Sequence, residues 1–312
     1  MLRSEQSFTP CAILLGMSSV ETTSGTWGPL SEPIHGPVPE GRPPYKDNAY
    51  LAFWDAKNGV YGVFHFSTSP NAEGRRSRIT VQGGGRTAEI IESPEPGTFD
   101  TASISFDLDS TYSVDGEGLS GRLTATPHHA IADYNTGMLP ELVEGEPLMH
   151  YQRAARVTGT FTIDGETVNV DGYGLRDRTW GYRDESVSFV EYIGLMAVLG
   201  NNTLACMSFM GPSGKTMTDG FWLDDDGGAE HISKMEVTRD ASGLWAAGKF
   251  SLDNGEEVTV RTTSRPAGFW VPMGWERTGP TMAAYDEFVG LRTADGVEGM
   301  ALVEQGQIRN IY

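Results

Sequence analysis

The stretch that decides the fold is "ARVTGTFTIDGETVNVDGYGLRDRTWGYRD", residues 155–184. Its first half reads as a hairpin. "ARVTGTFTI" and "ETVNVDG" carry the alternation and β-branched content of strands, and Asp164-Gly165 between them is a two-residue turn of the type I′ class that right-twisted strands prefer. Its second half, "GYGLRDRTWGYRD" (172–184), packs three arginines, two aspartates, two tyrosines and a tryptophan around three glycines. Alternation puts Val168 and Val170 on one strand face. Carried forward, the same register puts Arg176 on the valine face and Tyr173, Leu175 and Asp177 on the other, with Gly172 and Gly174 marking a place where a bulge could break it. A buried arginine needs a partner, and Asp171, Asp177, Asp184 and Glu185 are the local carboxylates. Two readings follow. The charges lock an irregular strand end, or they line a cavity in which Asp177 gives or takes a proton.

Outward from this stretch the same texture repeats. "AYLAFWD" leads through "AKNG" into "VYGVFHFSTS"; "TASISFDLD" alternates strictly, with Ile104, Phe106 and Leu108 on one face. Further turns fall at Asn254-Gly255 and at "ADG" (294–296). "VSFVEYIGLMAVLG" (187–200) is apolar nearly all round, but its β-branched and aromatic content and the Gly200-Asn201-Asn202 turn favour a strand. "LPELVEG" (139–145) reads as a short helical segment. Many short strands with Asp-Gly and Asn-Gly turns mean an all-β chain of barrels or sandwiches. The expected division is an arm over residues 1–46, a first barrel over 47–165 and a second over 166–312. The arm is the proline-rich "WGPLSEPIHGPVPEGRPP" (27–44), with Trp27 and Ile34 as its anchors.

Bulk properties exclude several classes. A net charge of −19 over 312 residues opposes nucleic acid or anionic membrane surfaces as partners. Cys11 and Cys206 make no disulfide framework or metal cluster. "CAILLGM" (11–17) is too short to span a bilayer, and with Glu5 before it and no cleavage site after it a signal peptide is not expected; the expected location is cytoplasmic.

Other motifs carry less. His128 and His129 in "TPHHAIADYNTG", with Asp133 and His150, are the candidate metal ligands, but adjacent strand residues point to opposite faces and no third ligand has a standard spacing, so no metal is expected. "VQGGGRTAE" (81–89), with Arg86, does not open a helix and is no phosphate loop. "LDDDGGAE" (223–230) lacks EF-hand spacing and reads as a solvated turn. The Asn201 sequon matters only in a secreted chain. "FWVPMGWE" (269–276) is barrel core or a cavity lip. His65 in "VYGVFHFSTS" would point into the first barrel if Val63 and His65 face inward, where it could act as an acid or base. No cofactor is expected, and the oligomeric state is left open.

The pattern Gly172-x-Gly174-x-Arg176-Asp177-x-x-Trp180-Gly181-x-Arg183 resembles the signature of the AttH/carotenoid 1,2-hydratase-like superfamily, G-x-G-x-R-D-H-S-W-G-x-R, and the late "DGVEGMALVE" suits that resemblance. Arg178 and Thr179 stand where the family has His and Ser. The resemblance covers residues 45–312 and implies two tandem lipocalin-like (calycin) antiparallel barrels. It also implies a hydratase, cyclase or isomerase acting on a lipophilic isoprenoid, steroid or polyketide by acid/base chemistry. Asp177 would then be the acid, Arg176 and Arg183 its electrostatic neighbours, and Trp180 and Tyr173 the walls, with Glu191, Tyr192 and His65 as further binding residues. The missing family histidine means that Asp177 acts alone or that the chemistry differs. The alternative is a carrier for a lipophilic molecule, with the charged motif purely architectural.

Overall fold

The computed structural model describes residues 25–36, 45–68, 76–135, 148–182, 190–225, 227–272 and 279–311. It is all-β apart from one 3-10 turn, Gly28–Ser31. The first sheet holds nine strands: β1 (Tyr45–Asp55), β2 (Val60–Thr68), β3 (Arg76–Gly83), β4 (Arg86–Glu92), β5 (Ile104–Phe106), β6 (Thr111–Gly116), β7 (Leu119–Asp133), β8 (Met149–Ile163) and β9 (Glu166–Tyr182). Their order is β4-β3-β2-β1-β9-β8-β7-β6-β5, and the sheet curls until its ends meet, where Ser103 Oγ donates to Glu92 Oε1 at 2.8 Å. The second unit is a closed eight-stranded barrel: β10 (Glu191–Leu199), β11 (Asn202–Met210), β12 (Thr216–Asp224), β13 (Ala229–Arg239), β14 (Trp245–Leu252), β15 (Glu257–Pro272), β16 (Gly279–Thr293) and β17 (Glu298–Ile311). Among the described residues no helix is long and apolar enough to cross a membrane.

The Asp164-Gly165 turn has positive φ at both residues, 49° and 82°, as a type I′ hairpin requires. That turn joins β8 to β9 within one sheet, and β9 also pairs with β1. A hairpin's two strands hydrogen-bond to each other, so the expected division at residue 165 falls inside the first sheet, and the change of sheet comes between Tyr182 and Glu191. The glycines of β9 make no bulge: pairing with both neighbours runs unbroken. They let β1 approach closely instead. A Cβ at Gly172 would run into the Trp54 carbonyl, and one at Gly174 would lie 2.6 Å from the Ala52 carbonyl.

Each barrel has its own filled interior. Phe53, Phe64, Phe66, Phe106, Tyr112 and Phe161 pack inside the first, and Trp27 and Leu30 of the arm insert among them, with Ile34 half-buried against the same cluster. The second is filled mainly by aliphatic side chains with Trp245 and Phe250. A third cluster, with Ala52, Trp54, Val63, Leu175, Met196, Val198, Phe288 and Leu302, lies between the two barrels. This explains why "AYLAFWD" and "YIGLMAVL" are apolar on both faces: one face fills a barrel and the other is covered by the neighbouring barrel. The sequence 187–200 is accordingly a strand over the part described, Glu191–Leu199, while the expected helical segment at 139–145 lies outside the described residues.

Candidate functional site between the barrels

Strand β9 divides its dense motif between two faces. On the interior face, continuing Val168 and Val170, come Arg176, Arg178 and Trp180. Arg176 is fully buried. Its Nη2 donates to the carbonyls of Leu30 (2.6 Å) and Leu108 (2.8 Å), its Nη1 to that of Asp109, and the guanidinium lies 4.5 Å over the Trp27 ring. Arg178 binds the buried Asp47 carboxylate and the carbonyls of Asn48 (3.0 Å), Glu32 (3.1 Å) and Pro33 (3.2 Å). Trp180 stacks on His35 at 4.6 Å, and His35 N donates to Asp47 at 2.7 Å. The arginines therefore fasten the arm across the first barrel. The expected local carboxylate partners are corrected: Asp171 pairs with Arg156 at the surface, Asp177 faces away, and main-chain carbonyls of the arm and the 108–109 turn, which lack ladder partners, take the guanidinium donors.

The other face of β9 looks at the second barrel. Arg78, His65, Tyr50, Asp177 and Gln152 stand in register across the adjacent strands β3, β2, β1, β9 and β8. Asp177 accepts hydrogen bonds from His150 Nε2, from Gln152 Nε2 (3.1 Å) and from Thr179 Oγ1 (3.0 Å). Gln152 Oε1 in turn accepts from the Tyr134 hydroxyl at 2.8 Å. Burial alone would raise the Asp177 carboxyl. The charge and hydrogen bond of His150, with the bonds from Gln152 and Thr179, outweigh it and hold the group below the usual carboxylate range. The side chain keeps 15% of its exposure, so the site is not sealed.

Facing this row, the second barrel presents Asp286, Glu304, Gly194, Met207 and Asp219 in register across β16, β17, β10, β11 and β12. The two rows meet where the Tyr50 hydroxyl donates to Asp286 Oδ2 at 2.8 Å. Burial pushes the Asp286 carboxyl up to about 6, against the opposing bond from Tyr50 and the charge of Arg78. Its Oδ1 is buried without a hydrogen-bond partner. The Tyr50 hydroxyl is held well above its ordinary pKa by burial and by Asp286, so it stays protonated. Tyr192 donates to Glu304, and a Cβ placed on Gly194 would touch Glu304 Cβ at 3.7 Å, an ordinary packing contact. Asp219 is also raised by burial, with His231 as its partner at 3.1 Å. Apolar groups flank the rows on both sides: the inter-barrel cluster already described, and Ala132, Tyr134, Met207 and Leu223 with Phe209 and Phe221.

Of the residues singled out from the sequence, Asp177, Tyr173, Tyr192 and His65 lie on the inter-barrel surface. Three expectations are corrected. Arg176 and Trp180 share the strand of Asp177 but not its face, because neighbours of opposite parity point apart. Glu191 points away from Tyr192 and pairs with Arg239. His65 does not enter the first barrel: Phe64 and Phe66 fill it, and Val63 and His65 face the second barrel, with His65 5.6 Å from the Tyr50 ring. Arg183 lies outside the described residues. The acid role expected of Asp177 meets a carboxyl held low, and the raised carboxyl on the facing row is Asp286. Asp286, Tyr50, Gln152, Tyr134 and Glu304 were not foreseen, and His150 was weighed only as a metal ligand. Counting outward from the two-residue turn at 164–165 places Gln152 opposite Asp177, so that part was recoverable. For a metal, the described residues offer the group His128, His129 and Asp225.

A family model described as "Domain of unknown function (DUF7064)" matches residues 29–308. No curated protein matches the sequence. Among solved structures, CghA with Sch210972 is similar at 12% identity and a TM-score of 0.62, over 89% of this chain and 95% of that one. An AttH-assigned protein (NE1406) of Nitrosomonas europaea gives 13% identity and 0.60 over 83% and 91%. Kievitone hydratase of Nectria haematococca gives 13% and 0.59 over 91% and 95%. The tandem-barrel fold is thus that of AttH-like proteins.

Proposed function

The chain belongs to the DUF7064 family, and we propose that it is an acid–base enzyme of the hydratase, cyclase or isomerase type acting on a lipophilic small molecule between its two barrels. One observation carries this reading: two carboxyl groups on the facing surfaces are pushed in opposite directions, Asp286 up to about 6 and Asp177 down, with Tyr50 spanning them. Environments that separate two pKa values assign an acid and a base. In the proposed cycle Asp286 delivers its proton to a substrate double bond. The Asp177 carboxylate then takes a proton from the resulting cation, or from the oxonium formed when water adds to it, and passes it to solvent, from which Asp286 regains its own. Aromatic faces of Tyr134, Phe221 and Tyr192 suit a cationic intermediate, and the flanking apolar clusters suit a lipophilic substrate. That one AttH-like neighbour is named a hydratase agrees with the reaction type. A carrier that holds its ligand inside a barrel is less well supported, because Trp27, Leu30 and the core aromatics occupy the first interior.

The test begins with native mass spectrometry and solvent extraction of the protein purified from its own cells, followed by turnover assays on the extracted class. A lipophilic ligand converted by the wild type, and by Asp286→Asn at least a hundredfold more slowly, supports the reading. Undiminished turnover in folded Asp286→Asn overturns the acid assignment.

A further inference from the structure

We propose that His128, His129 and Asp225 form a transition-metal site of the zinc class that staples the two barrels together. His128 and His129 belong to β7 of the first sheet, and Asp225 follows β12 of the second barrel. Adjacent residues on a regular strand could not share a metal. Here the β7–β8 register shifts between Pro127 and Ile131, and His129 takes a positive φ of 57°. This bulge brings the two imidazole rings to 3.7 Å between centroids, and one ligand atom from each of the three residues lies within 4.8 Å of the others. Donors around one tetrahedral zinc sit roughly 3.3 Å apart. Half-buried His128 and exposed Asp225 can close that difference by side-chain rotation.

A second observation points to a bound cation. The His129 side chain is 1% exposed, and its Nε2 has no hydrogen-bond partner although Asp225 Oδ1 lies 2.6 Å away, outside hydrogen-bond geometry. The other ring nitrogen, Nδ1, meets Thr203 Oγ1 of the second barrel at 2.6 Å. When that nitrogen carries the proton, Nε2 directs a lone pair toward Asp225; their 2.6 Å separation is shorter than two donors on one zinc allow, so the ion enters as the exposed Asp225 turns back. Thr203 then orients the ligand in the manner of an outer-shell partner. The His129 carbonyl accepts from Arg153 Nε at 2.9 Å, so both ends of the residue are held. Two imidazoles and one carboxylate suit zinc or a neighbouring transition metal rather than magnesium or calcium, which prefer all-oxygen sets. A fourth position remains for water.

The experiment uses the full chain, stripped with a chelator and titrated with zinc sulfate by calorimetry. Thermal unfolding is followed with and without zinc, and cobalt chloride is read by visible absorption. One equivalent bound, a raised unfolding temperature and the cobalt bands of a four- or five-coordinate site support the proposal. His128→Ala and Asp225→Asn, which change side chains that are not fully buried, should each weaken binding at least about tenfold. His231→Ala, at the separate His231–Asp219–Asp253 group, should leave it intact. The proposal is overturned by no saturable binding, by binding retained in both ligand variants, by loss in His231→Ala, or by equal affinity for magnesium. Because the readout is metal affinity, its failure is independent of any turnover at Asp286 and Asp177.

Discussion

The two faces of β9 make opposite use of the same few residues. On the inner face Arg176 and Arg178 are fully buried; the Nη groups of Arg176 donate to carbonyls of the arm and of the 108–109 turn, and Arg178 donates to carbonyls of the arm and to Asp47. On the outer face Asp177 is bonded to side chains, keeps some exposure, and stands in register with Tyr50, which binds a second carboxyl of different affinity for protons. A charged motif can therefore be a clasp and a reactive site at once, because strand alternation separates its members by parity. The difference between the faces is testable: stability should fail on one and turnover on the other.

The largest expected effect is on the outer face. Asp286→Asn should lower turnover by about 10²–10⁴-fold, measured on the extracted substrate class, with folding intact by circular dichroism. The inner face should give the converse. Arg178→Met takes the guanidinium from the buried Asp47, which keeps His35 as a neighbour, and should destabilise by about 3 kcal/mol in guanidinium unfolding, while the protein that remains folded keeps its rate. A large rate loss in Arg178→Met would erase the division between the faces.

Tyr50→Phe sharpens the comparison further. It removes one of the hydrogen bonds between the barrels and leaves a buried acceptor, a loss of about 1–3 kcal/mol. The Tyr50 bond lowers the Asp286 pKa, so the variant should move the alkaline limb of the rate profile to higher pH. The last effect is one of linkage. Asp286 binds its proton more tightly folded, at about 6, than unfolded, near its ordinary value of 3.8. The folded state therefore holds more protons between these values, and stability declines as pH rises through that window, then levels off. Asp286→Asn should remove this decline. Thermal scans should show the variant matching the wild type near pH 4, gaining on it up to about pH 6 and keeping that gain above; a pH-independent difference would sink the assignment of a raised carboxyl.

Much of the local architecture was legible. The type I′ turn at Asp164-Gly165, the strand register beyond it, the anchors Trp27 and Ile34 and the all-β character follow from short-range rules, because turn geometry and alternation act within a hairpin. The opposite placement of Arg176 and Asp177 follows from the same alternation, as does the pairing of Gln152 with Asp177 once the turn is fixed. His128 and His129 illustrate the limit. Alternation argued against their acting together, and a bulge between Pro127 and Ile131 reversed it; no residue pattern in "TPHHAIAD" announces that shift.

The sequence by itself determined the strands, their hairpins and which residues share a face, since these depend on neighbours in the chain. Only the tertiary structure decided what each face meets. The carbonyls that hold Arg176 come from 68 and 146 residues away, and the tyrosine that meets Asp286 from 236. Contacts at such separations are set by how one barrel packs on the other, through burial that has no local period. The pKa values follow the same rule: His150 depresses Asp177 and burial raises Asp286 only because folding brings their surroundings together.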